Sequence, residues 1–340
     1  MFAEMSRWHS HAQLSSVRSL FRVLVGATLI AAASLHAGGS SAQAYPNRPI
    51  TVLWPSVAGS STDSTLRALM SEAGKRLGQT VVFENRPGAN GTLGLIAMRN
   101  ARPDGYTLNI APHGPIVQLP HLDPNFKFEL GRDFVPISFI LEFPLVIGAN
   151  PGAPFNDVKS MIDYAKANPR KINFAVQQGT VSHLLAELIC QTAGVEMTMV
   201  PYKSSTAALP DLFSGVVHLA VSNTNFKPMV EAGKVKTIAV SSRERWSPFP
   251  TVPTLVESGL QVVDASWYFL AAAAGTPPEI VALLARVFSE SMTTPEVLKR
   301  YAGEALVSHP DMTSKELSER LGREYATWGT VIRKAGIKLQ

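Results

Sequence analysis

Apolar and polar positions alternate in blocks along this chain, and the blocks predict strands and helices in turn. Ile50–Trp54 is a short apolar run closed by Pro55. Leu66, Leu69, Met70, Ala73 and Leu77 then recur at helical spacing, and Gly78 stops the helix. Thr80–Phe83 is a second β-rich run, Pro87 to Gly91 a turn, and Leu93–Ala101 another helix. After Asp104-Gly105 a third strand is expected over Tyr106–Ala111, closed by Pro112. This βαβαβ order argues a parallel sheet with helices on both faces.

Beyond a mixed stretch, Pro120 to Pro136, the pattern restarts. Helices are expected over Ala153–Asn168, Ser182–Thr192 and Ala207–Phe213, and strands over Ile172–Val176, Met197–Tyr202, Val216–Ser222 and Lys236–Ser241. Trp246 to Pro253 is a Pro-rich loop, and the tail is largely helical over Pro278–Met292, Pro295–Ala302 and Ser314–Ala335. The apolar runs Ser138–Asn150 and Asp264–Ala274 sit at the junctions, so the chain is expected to cross twice between two lobes. That places 45–144 with 266–340 in one lobe and 149–262 in the other, with a cleft between them.

Charge and composition change this picture at the N-terminus. Arg7, Arg18 and Arg22 precede a thirteen-residue apolar stretch, Val23–Leu35, and Ala42-Gln43-Ala44 follows. A basic segment, an apolar segment too short to span a bilayer and an A-x-A site read as a signal peptide, cut after Ala44. The protein is therefore expected in the periplasm. Setting that leader aside takes the formal charge from +5 to +3. The remaining Lys and Arg are scattered, which is no footprint for nucleic acid. The lone Cys190, between Ile189 and Gln191 on an apolar helix, permits no intrachain disulfide and reads as a buried small residue. Clustered Cys/His metal sites are absent from the sequence, and no metal or cofactor is expected.

Two loops carry the candidate chemistry. Ser56, Val57, Ala58, Gly59, Ser60, Ser61, Thr62 and Asp63 join the first strand to its helix with hydroxyls, backbone donors and no Lys or Arg. Open parallel sheets bind ligands beyond the carboxyl ends of their strands, and the free N–H groups of a helix start favour an anion. Simple helix capping, with one of Ser60, Ser61, Thr62 or Asp63 as N-cap, explains the same residues equally well. Gln177, Gln178, Gly179, Thr180 and Ser182 form a second uncharged strand-to-helix loop, so the two resemble halves of one anion clamp. His113, after the third strand, is a candidate donor or a surface turn residue. Asn223 and Asn225, after Val216–Ser222, reach the cleft or simply turn the chain. Trp54 and Trp267 read as core or hinge packing.

The segments YPNRPITVLWPSVAGSSTD, VVFENRPGANGTLG, PDGYTLNIAP, VPYKSSTAALPDLFSG, EAGKVKTIAVSS and FPTVPTLVESGL occur in this order. Together they resemble the receptors of tripartite tricarboxylate transporters, the Bug-type periplasmic solute-binding proteins. The resemblance implies an α/β, two-lobe, type II periplasmic binding protein fold that closes on a small carboxylate as a monomer and delivers it to membrane partners. It assigns ligand contact to Pro55–Asp63 and, with departures, to Gln177–Ser182. The family's paired glycines become Gly59-Ser60, and its small second loop becomes a shorter one with two Gln. An acid common after the Val216–Ser222 strand is replaced by Asn223. Its loss fits a ligand anionic at both ends, a dicarboxylate, aliphatic or of the aromatic phthalate type. Two other readings compete: a ligand sensor for a membrane signalling partner, and an exported hydrolase using Ser60 or Ser61 with His113. The hydrolase lacks a Gly-x-Ser-x-Gly elbow and an evident acid to orient the histidine.

Overall fold

The computed structural model describes residues 45–337 apart from 57, 60, 124, 179, 205, 224 and 225, with backbone alone at 61, 90 and 206. The leader expected over 1–44 lies outside the described residues. In chain order come β1 (Ile50–Trp54), α1 (Ser61–Leu77), β2 (Val81–Asn85), α2 (Thr92–Arg99), β3 (Thr107–Pro112), α3 (Gly114–Val117), α4 (Leu119–Leu122), β4 (Phe134–Pro144) and β5 (Val146–Ala149). There follow α5 (Val158–Ala167), β6 (Asn173–Val176), α6 (Val181–Ala193), β7 (Thr198–Pro201), α7 (Leu209–Ser214), β8 (Leu219–Ser222), α8 (Lys227–Glu231) and β9 (Lys236–Val240). The chain ends with β10 (Ala265–Ala273), α9 (Pro278–Met292), α10 (Pro295–Gly303) and α11 (Ser314–Ala335).

The described strands form two five-stranded sheets, ordered β2-β1-β3-β10-β4 and β7-β6-β8-β5-β9. The two orders are equivalent, β1 matching β6 and β3 matching β8. β1 runs parallel to β2 and β3, and β6 parallel to β7 and β8. Neither sheet is wholly parallel, unlike the sequence expectation. β10 runs antiparallel to β3 and β4, and β5 antiparallel to β8 and β9. The reason is connectivity: β10 and β5 are the strands that arrive from the other sheet, so each enters against the direction set by the local βαβ units.

Several element ends move for local reasons. α5 starts at Val158 instead of Ala153, because Asp157 caps it in a capping box with Ser160. The strand expected from Val216 begins at Leu219; the Val217 N–H goes to the Asp211 carbonyl, and Val216 is 58% exposed. Part of the mixed stretch is ordered as the end of α4 and the start of β4, and α3 lies just before it. Proline-led helix starts at Pro278 and Pro295 fall where the sequence places them.

The chain passes from one sheet to the other at a single residue, Leu145, and returns between Ser241 and Asp264. These strands are stapled side by side. Ser241 N–H donates to the Leu145 carbonyl at 2.8 Å, and Asp264 N–H to the Ser241 carbonyl at 2.9 Å. The fully buried Ser241 hydroxyl accepts from the Leu145 N–H at 3.1 Å and donates to the Asp264 carbonyl at 2.5 Å. One side chain thus satisfies two buried backbone groups. Ser241→Ala should lower stability by about 1–3 kcal/mol, the cost of an unmade buried hydrogen bond, measured by urea denaturation. A loss below about 0.5 kcal/mol would show that the two backbone groups find other partners.

Candidate functional site

Both candidate loops leave the carboxyl ends of equivalent strands, β1 and β6, each flanked on both sides by a parallel neighbour. The chain leaves each of these strands for its neighbour on one side and then crosses to its neighbour on the other, so both loops lie where the strand order reverses. Each loop enters a full-length helix, α1 or α6.

The first loop is braced from beneath. α1 begins at Ser61, which puts Asp63 in the first turn and not at the N-cap position. The Asp63 carboxylate is buried and accepts from the Gly59 N–H at 3.2 Å, Arg67 Nε at 3.0 Å and Asn85 Nδ2 at 2.7 Å. Asn85 Nδ2 also donates to the Ser56 carbonyl at 3.0 Å, and Arg67 donates to Asn85 Oδ1 at 2.7 Å. Burial alone would raise the Asp63 pKa. The hydrogen bonds from Asn85, Gly59 and Arg67, with the Arg67 charge, outweigh that and hold it below the usual carboxylate range. Both ends of the loop are thus tied to one ionised group, and Asp63 serves the loop's shape. Ala58 and Gly59 are exposed, and Gly59 takes φ +89°, a left-handed conformation that only glycine adopts at little cost. Thr62 Oγ1 donates to Glu304 Oε2 at 3.1 Å. Val57 and Ser60 lie outside the described residues, as does the side chain of Ser61.

The second loop is held by its own hydroxyls. Thr180 Oγ1 donates to the Gln177 carbonyl at 2.8 Å and lies 3.1 Å from Ser182 Oγ. Ser182 Oγ accepts from the Gln177 N–H at 3.1 Å. Gln177 and Gln178 are exposed, and the Thr180 hydroxyl, at the N-cap position of α6, makes no cap bond to the helix. Asn223 is half-buried at the end of β8, where its carbonyl accepts from the Phe226 N–H. Gly179 and Asn225 lie outside the described residues.

His113 is not a surface turn residue. It is buried against Trp267, the rings stacked 5.2 Å apart at 11°. Its Nδ1 lies 3.2 Å from the Trp267 carbonyl and 3.3 Å from the Trp267 nitrogen, and Nε2 is buried without a partner. Burial is the main cause lowering its pKa, against the pull of Glu324, so the ring is neutral. Its partner is backbone and not a carboxylate, which is poor support for a Ser–His hydrolase. Trp54 and Trp267 are buried packing residues, Trp54 against Tyr268 at 5.0 Å. Cys190 is buried, and burial pushes its thiol up to about 12. Among the described residues no group of three His, Cys, Asp or Glu is placed to hold a metal, and no helix is long and apolar enough to cross a membrane.

A profile described as the tripartite tricarboxylate transporter family receptor matches residues 65–337. The chain belongs to that receptor family. It is 33% identical over 307 residues to Protein BugT of Bordetella pertussis, covering 88% of this chain and 93% of BugT. It is also similar to two solved structures, each at 29% identity. One is Rpa4515 of R. palustris with adipate, with a TM-score of 0.68 and coverage of 86% and 99% of the two chains. The other is MatC of Rhodopseudomonas palustris with bound malate, with a TM-score of 0.66 and coverage of 85% and 100%. The fold is accordingly the two-lobe architecture of the solved receptors of this family.

This receptor also carries a polar cluster at the hinge that sequence reasoning missed. A cavity of about 530 Å³ is lined by Glu142, Asp264, His309, Arg320 and Glu324 near the first sheet, and by Leu188 and 242–246 from the second. None of the loop residues lines it. Arg320 lies 4.4 Å above the Trp267 ring and donates to Glu142 at 3.2 Å and to Glu324 at 2.9 Å. Glu324 in turn accepts from Trp267 Nε1 at 2.9 Å. The sequence signal was no more than the Arg320/Glu324 spacing on one helix face.

Asp264 is the outlier of this cluster. Its Oδ2 is buried with no partner, and burial followed by the nearby Glu324 charge raises its pKa well above the usual value. Below the unfolded-chain pKa of about 3.9 the carboxyl is protonated in both states. As pH rises from there, the unfolded chain releases the proton first and the fold loses stability until its own raised pKa is passed. Asp264→Asn removes that penalty. The variant should gain on wild type as pH is raised from about 4, followed by urea midpoints across the pH range. A difference that does not change with pH would show Asp264 to be ionised in the fold.

Proposed function

We propose that this receptor works in the periplasm, captures a small dicarboxylate between its lobes and hands it to the membrane components of a tripartite transporter, without turnover. The lobes are 45–144 with 266–340, and 149–262; the first sheet draws its strands from 50–144 and 265–273, the second from 146–240. The observation that carries the reading is the pairing of loops. Two equivalent strands, one in each sheet, end in uncharged, donor-rich loops, each pinned by hydrogen bonds of its own.

An anion held this way is met by neutral N–H and O–H groups and by water, not by a cation. Its desolvation has to be offset by the number of donors. Pre-set loops help, because no ordering cost remains when the ligand arrives. A ligand with a carboxylate at each end is supported by the absence of an acid at Asn223 and by the adipate and malate of the two similar receptors. Ser56–Thr62, braced by Asp63 beneath, would hold one end, and Gln177–Ser182 with Asn223 and Asn225 the other.

Titration calorimetry of the purified receptor with adipate, malate and phthalate, and with acetate and alanine as controls, tests this. A dicarboxylate should bind with an affinity that changes little with salt, since no exposed cation drives it. Ser61→Ala and Thr180→Ala should each weaken binding by about 1–2 kcal/mol, the scale of one lost hydrogen bond in a buried site. Unchanged affinity in both variants would remove the loops from the site.

A further inference from the structure

The turn after α10 touches three parts of the receptor that belong to different mechanical elements. Glu304 reaches the ligand-loop helix: its carboxylate accepts from Thr62 Oγ1 at 3.1 Å and from the buried Thr65 Oγ1. One residue on, the Ala305 carbonyl accepts from Trp246 Nε1 at 2.8 Å. Trp246 belongs to the apolar cluster of the second sheet, with Val146, Leu212, Phe226 and Val240, and Ala305 and Val307 pack against it. Two residues further, Val307 pairs with Glu142 on the hinge strand β4, with hydrogen bonds of 2.8 and 3.1 Å. Four consecutive residues therefore join the first loop, the hinge strand and the opposite lobe.

The turn's backbone is shaped for this. The Leu306 N–H donates to the Tyr301 carbonyl at 2.9 Å and the Ala305 N–H to the Ala302 carbonyl at 3.2 Å, the bond pattern of a Schellman helix end. The residue in the left-handed position of such an end is usually glycine; here it is Ala305, at φ +53°. A side chain kept in that conformation is a local strain that the surrounding contacts must hold in place. The contact that holds its carbonyl is the Trp246 indole. At the other end, the Tyr301 hydroxyl anchors α10 to the Ile140 carbonyl of β4 at 3.0 Å, so the strap has a fixed base.

We propose that residues 304–307 form a strap that couples the seating of the first ligand loop to the angle between the lobes. Glu304 is its positioning residue, and the Trp246–Ala305 hydrogen bond its anchor on the opposite lobe. This rests on the reading of Ser56–Asp63 as a ligand loop. When the lobes rotate, Trp246 moves with the second lobe and draws the Ala305 carbonyl with it. Glu304 then shifts the first turn of α1, and with it the donors offered to the ligand. Neither Glu304 nor Trp246 touches the ligand in this scheme. By reciprocity, a ligand that seats the loop favours the lobe angle at which the strap is unstrained.

The test is a double-mutant cycle on the purified receptor, with adipate as the probe. Trp246→Phe keeps the ring and removes the donor; Glu304→Gln keeps the shape and removes the charge and one acceptor. Thermal melts first establish that each variant is folded, and Thr62→Val replaces Glu304→Gln if that variant is not. Each single substitution should change adipate affinity, and the double variant should differ from the product of the singles by roughly twofold or more. Fold-changes that simply multiply would overturn the coupling. If the wild-type receptor binds none of the acids, the functional reading fails, and the strap is judged without ligand. Small-angle scattering of the ligand-free protein should then show a changed radius of gyration in Trp246→Phe, and an unchanged one would overturn the strap.

Discussion

The rest of this structure depends on one buried hydroxyl. Ser241 joins the strand that leaves the first sheet, at Leu145, to the strand that re-enters it, at Asp264. Each sheet has its own core, and a two-lobe receptor needs the crossing strands to bend together without baring their backbone groups. A side chain that serves both strands at once does this, because a hydroxyl can rotate and keep both bonds while the strands tilt. The same staple fixes where Asp264 and Trp267 sit, and hence the polar cluster behind the hinge.

On the proposed reading of the two loops, neutral groups suit a receptor that must release its ligand. An Arg in contact with a carboxylate forms a short, charge-assisted, often bidentate bond that is hard to strip. Here Arg67, on α1, is turned to Asp63 and Asn85 beneath the loop. Its charge stabilises the ionised Asp63, whose hydrogen bond to Gly59 keeps the loop backbone in place. The cation thus contributes to the shape of the loop without joining it. Glu304 does the same from the other side of the helix start through Thr62 and Thr65. Charged groups thus shape a loop that itself carries no Lys or Arg.

Much of the fold was legible because its signals are local. Pro278, Pro295 and the Thr313–Glu316 box fix helix starts within one turn, and the two strand-to-helix loops stand out by composition alone. What was not legible depends on partners far apart in sequence. Asn85, 22 residues from Asp63, turns a candidate cap residue into a loop brace. The stacking of His113 on Trp267, 154 residues away, buries a histidine whose neighbours in sequence, Pro112 and Gly114, suggest an exposed turn. The direction of β10 could not be inferred from periodicity, since a buried strand reads as the same apolar run either way. The ordered motifs of the family carried the two-lobe expectation further than spacing did.

The lobes also meet outside the hinge, and this contact sets a balance. On α6, just beyond the second loop, Leu184 and Leu188 pack into the first lobe's cluster of Trp267, Leu321, Trp328 and Val331, and Gln191 donates to the Val331 carbonyl at 3.0 Å. Burying one such leucine is worth about 1.5–3 kcal/mol. That favours the approach of the lobes before any ligand is present. The buried Asp264 opposes it, because a carboxyl with a partnerless oxygen beside Glu324 is costly to enclose. A ligand can shift such an equilibrium only by its differential affinity for the two states. On the proposed reading, the donors of the two loops supply that difference, by meeting the ligand together only when the lobes are close.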